Sequence, residues 1–248
     1  RPPRGPGRFL MSLLLVPESV EAHRTNRDFD DVGCRAAIVG SPVMIRAVLW
    51  DFGGVILSSP FEAFNRYEAA NGLPLDFIRG VNATNPDTNA WARLERNDVS
   101  PETFDALFAE ESEALGNRVP GADVLGLLSG EIRQEMVTAL DRVIRAGYRT
   151  ACLTNNVVGG EQRMDVGDVM VMFDHIVESS KVGCRKPEPR FYEIACELVG
   201  VEPSECVFLD DLGINLKPAR TMGMTTIKVG AADQAITDLE RVLGINLR

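Results

Sequence analysis

Histidine, aromatic residues and long apolar runs are all scarce in this chain. Its only two histidines, His23 and His175, have no partner at ligand spacing, which argues against a histidine-built metal centre. The five cysteines (Cys34, Cys152, Cys184, Cys196 and Cys206) form no C-x-x-C pair, and their number is odd. That argues against both a zinc site and a fully paired disulfide framework, and points to a reducing compartment, the cytoplasm. No run of about 18 apolar residues occurs, so no segment is expected to span a membrane. Basic charge is in the minority, with Lys+Arg 26 against Asp+Glu 36 and a net charge of −10. Such a surface offers no basic face for nucleic acid or anionic lipid. A small phosphorylated substrate is still compatible with it, because one lysine or a metal reverses the field locally. P-loop, dinucleotide fingerprint and nucleophile-elbow serine are absent.

What remains is an ordinary globular composition, 45% hydrophobic and 25% charged, in a 248-residue chain that suits one large α/β unit or a domain with an insertion. Residues 1–43 begin with three arginines and a short apolar run but lack a small-residue cleavage site at signal-peptide distance. They read as a poorly ordered extension outside the fold. From Met44 onward, short apolar runs at 45–50, 148–153, 175–178, 206–209 and 225–229 read as strands buried on both faces. Between them, 131–146, 189–199, 218–222 and 232–243 carry helical periodicity. The 189–199 segment opens on Pro187 and Pro189 and stops at Gly200. Strand–helix alternation of this kind predicts a doubly wound, Rossmann-like parallel sheet. Residues 61–130 break the rhythm, with helical starts at Phe61 and at Ser100-Pro101 and no strand. They read as an α-helical cap inserted after the first strand, leaving 44–60 and 131–248 as the core domain.

Three strands end in polar clusters: Trp50-Asp51, Leu153-Thr154-Asn155-Asn156 and Leu209-Asp210-Asp211. In a parallel sheet the carboxyl ends share one edge, so these clusters are expected to meet there. Three carboxylates at one edge repel one another, and a hard divalent cation relieves that repulsion; oxygen-only ligands point to Mg2+. Gly53 and Gly54 allow a tight turn and a close backbone approach. Lys186, just before Pro187 and the 189–199 helix, can reach the same edge and hold a phosphate as a point charge.

Four segments in order carry a resemblance: Asp51-Phe-Gly-Gly-Val55, Leu153-Thr-Asn-Asn156, Lys186-Pro-Glu-Pro189 and Phe208-Leu-Asp-Asp-Leu-Gly213. They resemble the motifs of the haloacid dehalogenase-like hydrolases. The likeness is nearest to the phosphatase-like N-terminal domain of soluble epoxide hydrolases and the similar domain fused to some acyl-CoA dehydrogenases, and it runs from about residue 45 to 247. The resemblance implies a Mg2+-dependent phosphatase for small organic or lipid-like phosphates. Asp51 would be the nucleophile that forms an aspartyl-phosphate, with Gly53 giving a backbone carbonyl to the metal. Thr154 and Asn155 would bind the phosphoryl group, Lys186 would neutralise it, and Asp210 and Asp211 would anchor Mg2+.

One departure stands out. Such phosphatases usually carry a second Asp two residues after the nucleophile as general acid and base, and here that residue is Gly53. General acid–base help is worth about 10²–10⁴ in rate. The chain would then cleave good leaving groups, take an acid from the cap, or be a catalytically weak binding or partner domain. A dehalogenase would have an aromatic residue in place of Gly53, and a phosphoryl-accepting receiver has no need of a cap; both rank lower. His175 reads as structural, Gly159-Gly160 as a turn, and Arg93 or Arg96 as a surface ion pair rather than a substrate contact.

Overall fold

The computed structural model describes residues 44–157 and 164–248; the expected extension with Cys34, and the Gly159-Gly160 turn, lie outside the described residues. In chain order the elements are β1 (Ala47–Trp50), then α1 (Phe61–Ala70), α2 (Phe77–Ala83), α3 (Ala90–Glu95), α4 (Pro101–Ala114) and α5 (Gly121–Gly126). There follow α6 (Gln134–Arg145), β2 (Arg149–Thr154), α7 (Met164–Met170), β3 (His175–Glu178) and α8 (Ser179–Val182). The chain ends with α9 (Pro189–Val199), β4 (Cys206–Asp210), α10 (Gly213–Thr221), β5 (Thr225–Lys228) and α11 (Ala232–Leu243). The five strands form one parallel sheet in the order β3-β2-β1-β4-β5, the α/β architecture the alternation predicts.

The continuous apolar strands follow from burial on both faces. Val48 and Trp50 of β1 join one hydrophobic cluster with Met136 and Leu140 of α6 and Ile236 and Leu239 of α11. Ala47 and Leu49 point the other way, into a cluster with Phe191 and Tyr192 of α9 and Leu216 of α10. Period-two alternation therefore feeds two apolar layers, and a polar residue inside the strand would be stranded in one of them. Cys152, Cys184, Cys196 and Cys206 are buried free thiols. His175 takes an ordinary place in the ladder opposite Ala151. Among the described residues no helix is long and apolar enough to cross a membrane.

Helix ends obey local chemistry. Pro189 opens α9, and Gly200 closes it at φ 72°, a left-handed angle that glycine adopts cheaply. Helix α10, in contrast, begins at Gly213, five residues before the expected start at Pro218 (218 − 213). Proline normally marks a first turn, and the buried face of the preceding turn carries the polar Asn215, which conceals the apolar stripe.

Helices α1–α5 enclose a third cluster of their own, built on Phe64, Ile78, Leu94, Phe104, Phe108 and Val124. Ser100 caps α4, its hydroxyl accepting from the Thr103 amide at 3.2 Å, with Pro101 in the first turn. The buried Glu68 carboxylate accepts from the Asp76 and Ile78 amides at 2.8 and 2.9 Å and so starts α2. The outgoing and returning connections pair as an isolated antiparallel bridge, Leu57 with Ile132, flanked by bonds from the Ser58 amide to the Glu131 carbonyl (2.8 Å) and from the Arg133 amide to the Ile56 carbonyl (2.9 Å).

Candidate active site

Central β1 pairs with both β2 and β4, and Trp50 lies opposite Cys152 and Leu209. Asp51 and Asp210, one residue further along, and Thr154, two residues further along, consequently share one sheet edge. The Asp51 amide still donates to the Leu209 carbonyl at 2.8 Å, which carries the nucleophile candidate one step past the strand.

Lys186 enters this edge from the loop between α8 and α9. Only 1% exposed, its ammonium lies 2.6 Å from Asp51 Oδ1 and 2.9 Å from Asp210 Oδ2. Asp51 Oδ1 also accepts from the Phe52 amide at 2.7 Å, and among the described residues no donor reaches Oδ2. Asp210 is fully buried. Its Oδ1 accepts from the Leu212 amide at 2.7 Å, and Asn215 Nδ2 donates to both of its oxygens at 3.1 Å. Asn215 is a site residue that the periodicity of the sequence conceals. Its signal is its position on the first turn of the helix that follows the Asp210-Asp211 pair.

Asp51, Asp210 and Asp211 bring ligand oxygens within 4.8 Å of one another. Lys186 balances one of these three charges. Burial pushes the Asp51 carboxyl well above the usual carboxylate range; Lys186 opposes that rise and Asp210 adds to it. Burial and then the charge of Asp210 push Asp211 up to about 6. For Lys186, burial works against the charge, but Asp210 and Asp51 outweigh it and hold the ammonium above the ordinary lysine value. A cluster with more negative than positive charge and only oxygen donors suits a hard divalent cation.

The glycine that this cluster requires is Gly54. Its φ is +77°, and a Cβ there would lie 2.2 Å from Asp211 Oδ2. Its carbonyl accepts from Arg133 Nη1 at 2.9 Å. Gly54→Ala therefore displaces the Asp211 carboxylate and imposes a left-handed angle on alanine, costing roughly 1–2 kcal/mol of stability. Chemical denaturation checks the stability loss, and an unchanged midpoint would contradict the assigned contact.

The family profile of the haloacid dehalogenase-like hydrolases matches residues 45–223, which covers β1 through the end of α10 and every residue of this cluster. The chain belongs to this family. It is 34% identical over 209 residues to mouse acyl-CoA dehydrogenase family member 10, covering 82% of this chain and 19% of that protein. With mouse bifunctional epoxide hydrolase 2 it is 32% identical over 216 residues, covering 81% and 39%. The chain thus spans about a fifth and about two fifths of these relatives. A haloacid dehalogenase family enzyme of Bacteroides thetaiotaomicron, solved in complex with magnesium and inorganic phosphate, shares the fold at TM-score 0.53 and 21% identity, over 75% of this chain and 95% of that one.

The other expected site residues occupy differing positions. Thr154, 8% exposed, ends β2, and among the described residues its hydroxyl has no hydrogen-bond partner. Gly53 is exposed, with nothing within 4 Å of a would-be Cβ. The Asn155 side-chain amide lies against the Lys186 backbone. Its Oδ1 accepts from the Lys186 amide at 2.9 Å, and its Nδ2 donates to the Lys186 carbonyl at 3.0 Å and to Glu95 Oε2 at 3.1 Å. Arg96 does form an ion pair, but not the surface pair expected. It meets Glu188, 2.6 Å away, and keeps only 18% of its side chain exposed. Trp91 packs edge-on against Phe104 inside the helical insertion, ring centroids 5.5 Å apart.

Proposed function

We propose that this hydrolase is a Mg2+-dependent phosphatase that cleaves small organic or lipid-like phosphate monoesters through an aspartyl-phosphate on Asp51. The observation that carries the reading is the Lys186 ammonium held between Asp51 at 2.6 Å and Asp210 at 2.9 Å. A cation at that place neutralises a nucleophile and a transferring phosphoryl group together. Asp51, Asp210 and Asp211, with the Gly53 carbonyl, would hold Mg2+, which supplies charge stabilisation to the phosphoryl oxygens when bound. A carboxylate oxygen of Asp51 attacks phosphorus, and the bond to the leaving oxygen breaks. Water then attacks phosphorus of the acyl phosphate, releasing inorganic phosphate and restoring the Asp51 carboxylate. The Thr154 hydroxyl, without a hydrogen-bond partner among the described residues, donates to the transferring group, while Asn155 holds the Lys186 backbone in place. Residues 61–130 act as the cap over a core made of 44–60 and 131–248. The four free thiols support a reducing, cytoplasmic setting.

Gly53 favours a second reading, a catalytically weak binding or partner domain, because it stands where the resemblance expects an acid two residues after Asp51. Steady-state assay with p-nitrophenyl phosphate separates the two. Mg2+-dependent turnover supports the phosphatase, whereas Mg2+ and phosphate binding without turnover supports the binding domain.

Asp211 gives the metal a pH signature. Its folded-state value of about 6 exceeds its ordinary value of 3.8, so the folded protein keeps a proton that the unfolded chain has lost. Its contribution to the stability of the metal-free protein is present at low pH and is lost as pH rises through about 4 to 6. Mg2+ must displace that proton. The Mg2+-induced rise in thermal midpoint is therefore expected to be larger at about pH 7.5 than at about pH 5. Scanning fluorimetry at both values checks this, and an equal rise would remove Asp211 from the metal site.

A further inference from the structure

The loop that presents Lys186, residues 183–188, belongs to neither helix beside it, yet side chains from the helical insertion grip it on both flanks. Glu95, the last residue of α3, is 6% exposed. Its Oε2 accepts from Arg185 Nε and from Asn155 Nδ2, and its Oε1 accepts from Trp91 Nε1 at 2.9 Å. Arg185 also donates through Nη1 to the Pro86 carbonyl at 3.0 Å. Two residues beyond Lys186, Glu188 is bound by Arg96 through Nη2 at 2.6 Å and Nε at 2.8 Å. Between these anchors, the single Asn155 amide satisfies both the N–H and the carbonyl of Lys186.

We infer that Glu95 is a positioning residue for Lys186. Carried on the insertion, it fixes Arg185 and Asn155, the two residues that set the Lys186 backbone, so correct placement of the ammonium requires the insertion to be seated on the core. The inference rests on the reading of Lys186 as the group that neutralises the phosphoryl charge. Charge-assisted hydrogen bonds are roughly twice as strong as neutral ones, and a buried carboxylate without them is costly, so Glu95 and Arg185 enforce each other's position. Neither touches Asp51, and their effect on chemistry runs entirely through the loop.

Glu95→Gln keeps the size of the side chain but removes the charge opposite Arg185 and leaves one acceptor oxygen, too few for Trp91 on one side and Asn155 with Arg185 on the other. Arg185→Gln breaks the same pair from the core side and serves if the first variant does not fold. In both variants, hydrogen exchange followed by mass spectrometry should show faster exchange over 183–188, by about tenfold, because the Lys186 amide loses a fixed acceptor. Turnover of p-nitrophenyl phosphate should fall about 10–100-fold in kcat with little change in KM, as small misplacements of a catalytic group do. The double variant should be no worse than the poorer single one. Unchanged exchange over 183–188 in either folded variant would overturn the inference, as would a rise in KM alone or fully additive losses. If the unaltered protein has no Mg2+-dependent turnover, the phosphatase reading fails, and exchange over 183–188 still decides whether Glu95 positions the loop.

Discussion

Asp51→Asn is expected to abolish Mg2+-dependent hydrolysis of p-nitrophenyl phosphate, with kcat falling by about 10³-fold or more, as loss of an enzyme nucleophile does. The asparagine oxygen can still accept from the Phe52 amide, which now donates to Asp51 Oδ1 at 2.7 Å. It also leaves Lys186 paired with Asp210 at 2.9 Å, so the edge keeps its ion pair. The amide nevertheless cannot attack phosphorus as a carboxylate does. Folding should survive, because the substitution removes one of three carboxylates whose ligand oxygens crowd within 4.8 Å. A thermal melt beside the kinetics separates the two effects: activity should vanish while the midpoint stays close to its original value. A comparable loss of midpoint would assign the lost activity to unfolding instead.

Gly53→Asp is expected to act in the opposite direction. The backbone there is extended (φ −68°, ψ 133°), which aspartate adopts without strain, and nothing lies within 4 Å of the new Cβ. The position is exposed and two residues beyond the proposed nucleophile, so the added carboxyl can protonate a leaving oxygen and later take a proton from the attacking water. Alkyl phosphates, whose leaving groups need that proton, should gain about 10²–10⁴ in kcat/KM. p-Nitrophenyl phosphate, which leaves readily, should gain far less. The measurement is the ratio of the two kcat/KM values in glycerol phosphate and p-nitrophenyl phosphate assays. A ratio that does not move would show that Gly53 is not what limits alkyl-phosphate turnover.

Much of the fold was readable in the sequence because β1 and β4 are buried on both faces along their length, and β2 admits a polar residue inside only at Thr150, whose hydroxyl is bonded to Asp174. The strand ends were readable for the same reason: Asp51, Thr154 and Asp210 are where the apolar run stops, and a parallel sheet gathers such stops at one edge. Proline and glycine at the ends of α9 gave its bounds directly. Short helices were harder. α2, α3 and α5 have six or seven residues, fewer than two full turns, so no apolar stripe can establish itself. Their starts depend on side chains such as Glu68, eight and ten residues from the amides it binds.

The supporting residues of the site were hidden for a related reason. Glu95 and Arg185 stand 90 residues apart, and Arg96 and Glu188 stand 92 apart; only the folded chain brings either pair together. Arg133 reads as the start of an amphipathic helix, and its bond to the Gly54 carbonyl depends on where the returning connection crosses the outgoing one. Asn155 sat beside Thr154 in the sequence and took its expected role from that neighbour. The fold adds a contact the sequence does not show, its side-chain amide against the Lys186 backbone. The candidate residues Asp51, Thr154 and Asp210 sit at strand ends and are therefore legible, whereas residues that hold the Lys186 loop in place come from distant elements.

The central claim is that a phosphoryl group passes through Asp51. The most direct test is an acid quench of the protein during turnover of p-nitrophenyl phosphate with Mg2+, followed by mass spectrometry of its peptides. The account predicts a phosphoryl adduct on the peptide that contains Asp51, present only with Mg2+ and absent from Asp51→Asn. An adduct on any other residue, or sustained turnover by Asp51→Asn, would contradict it.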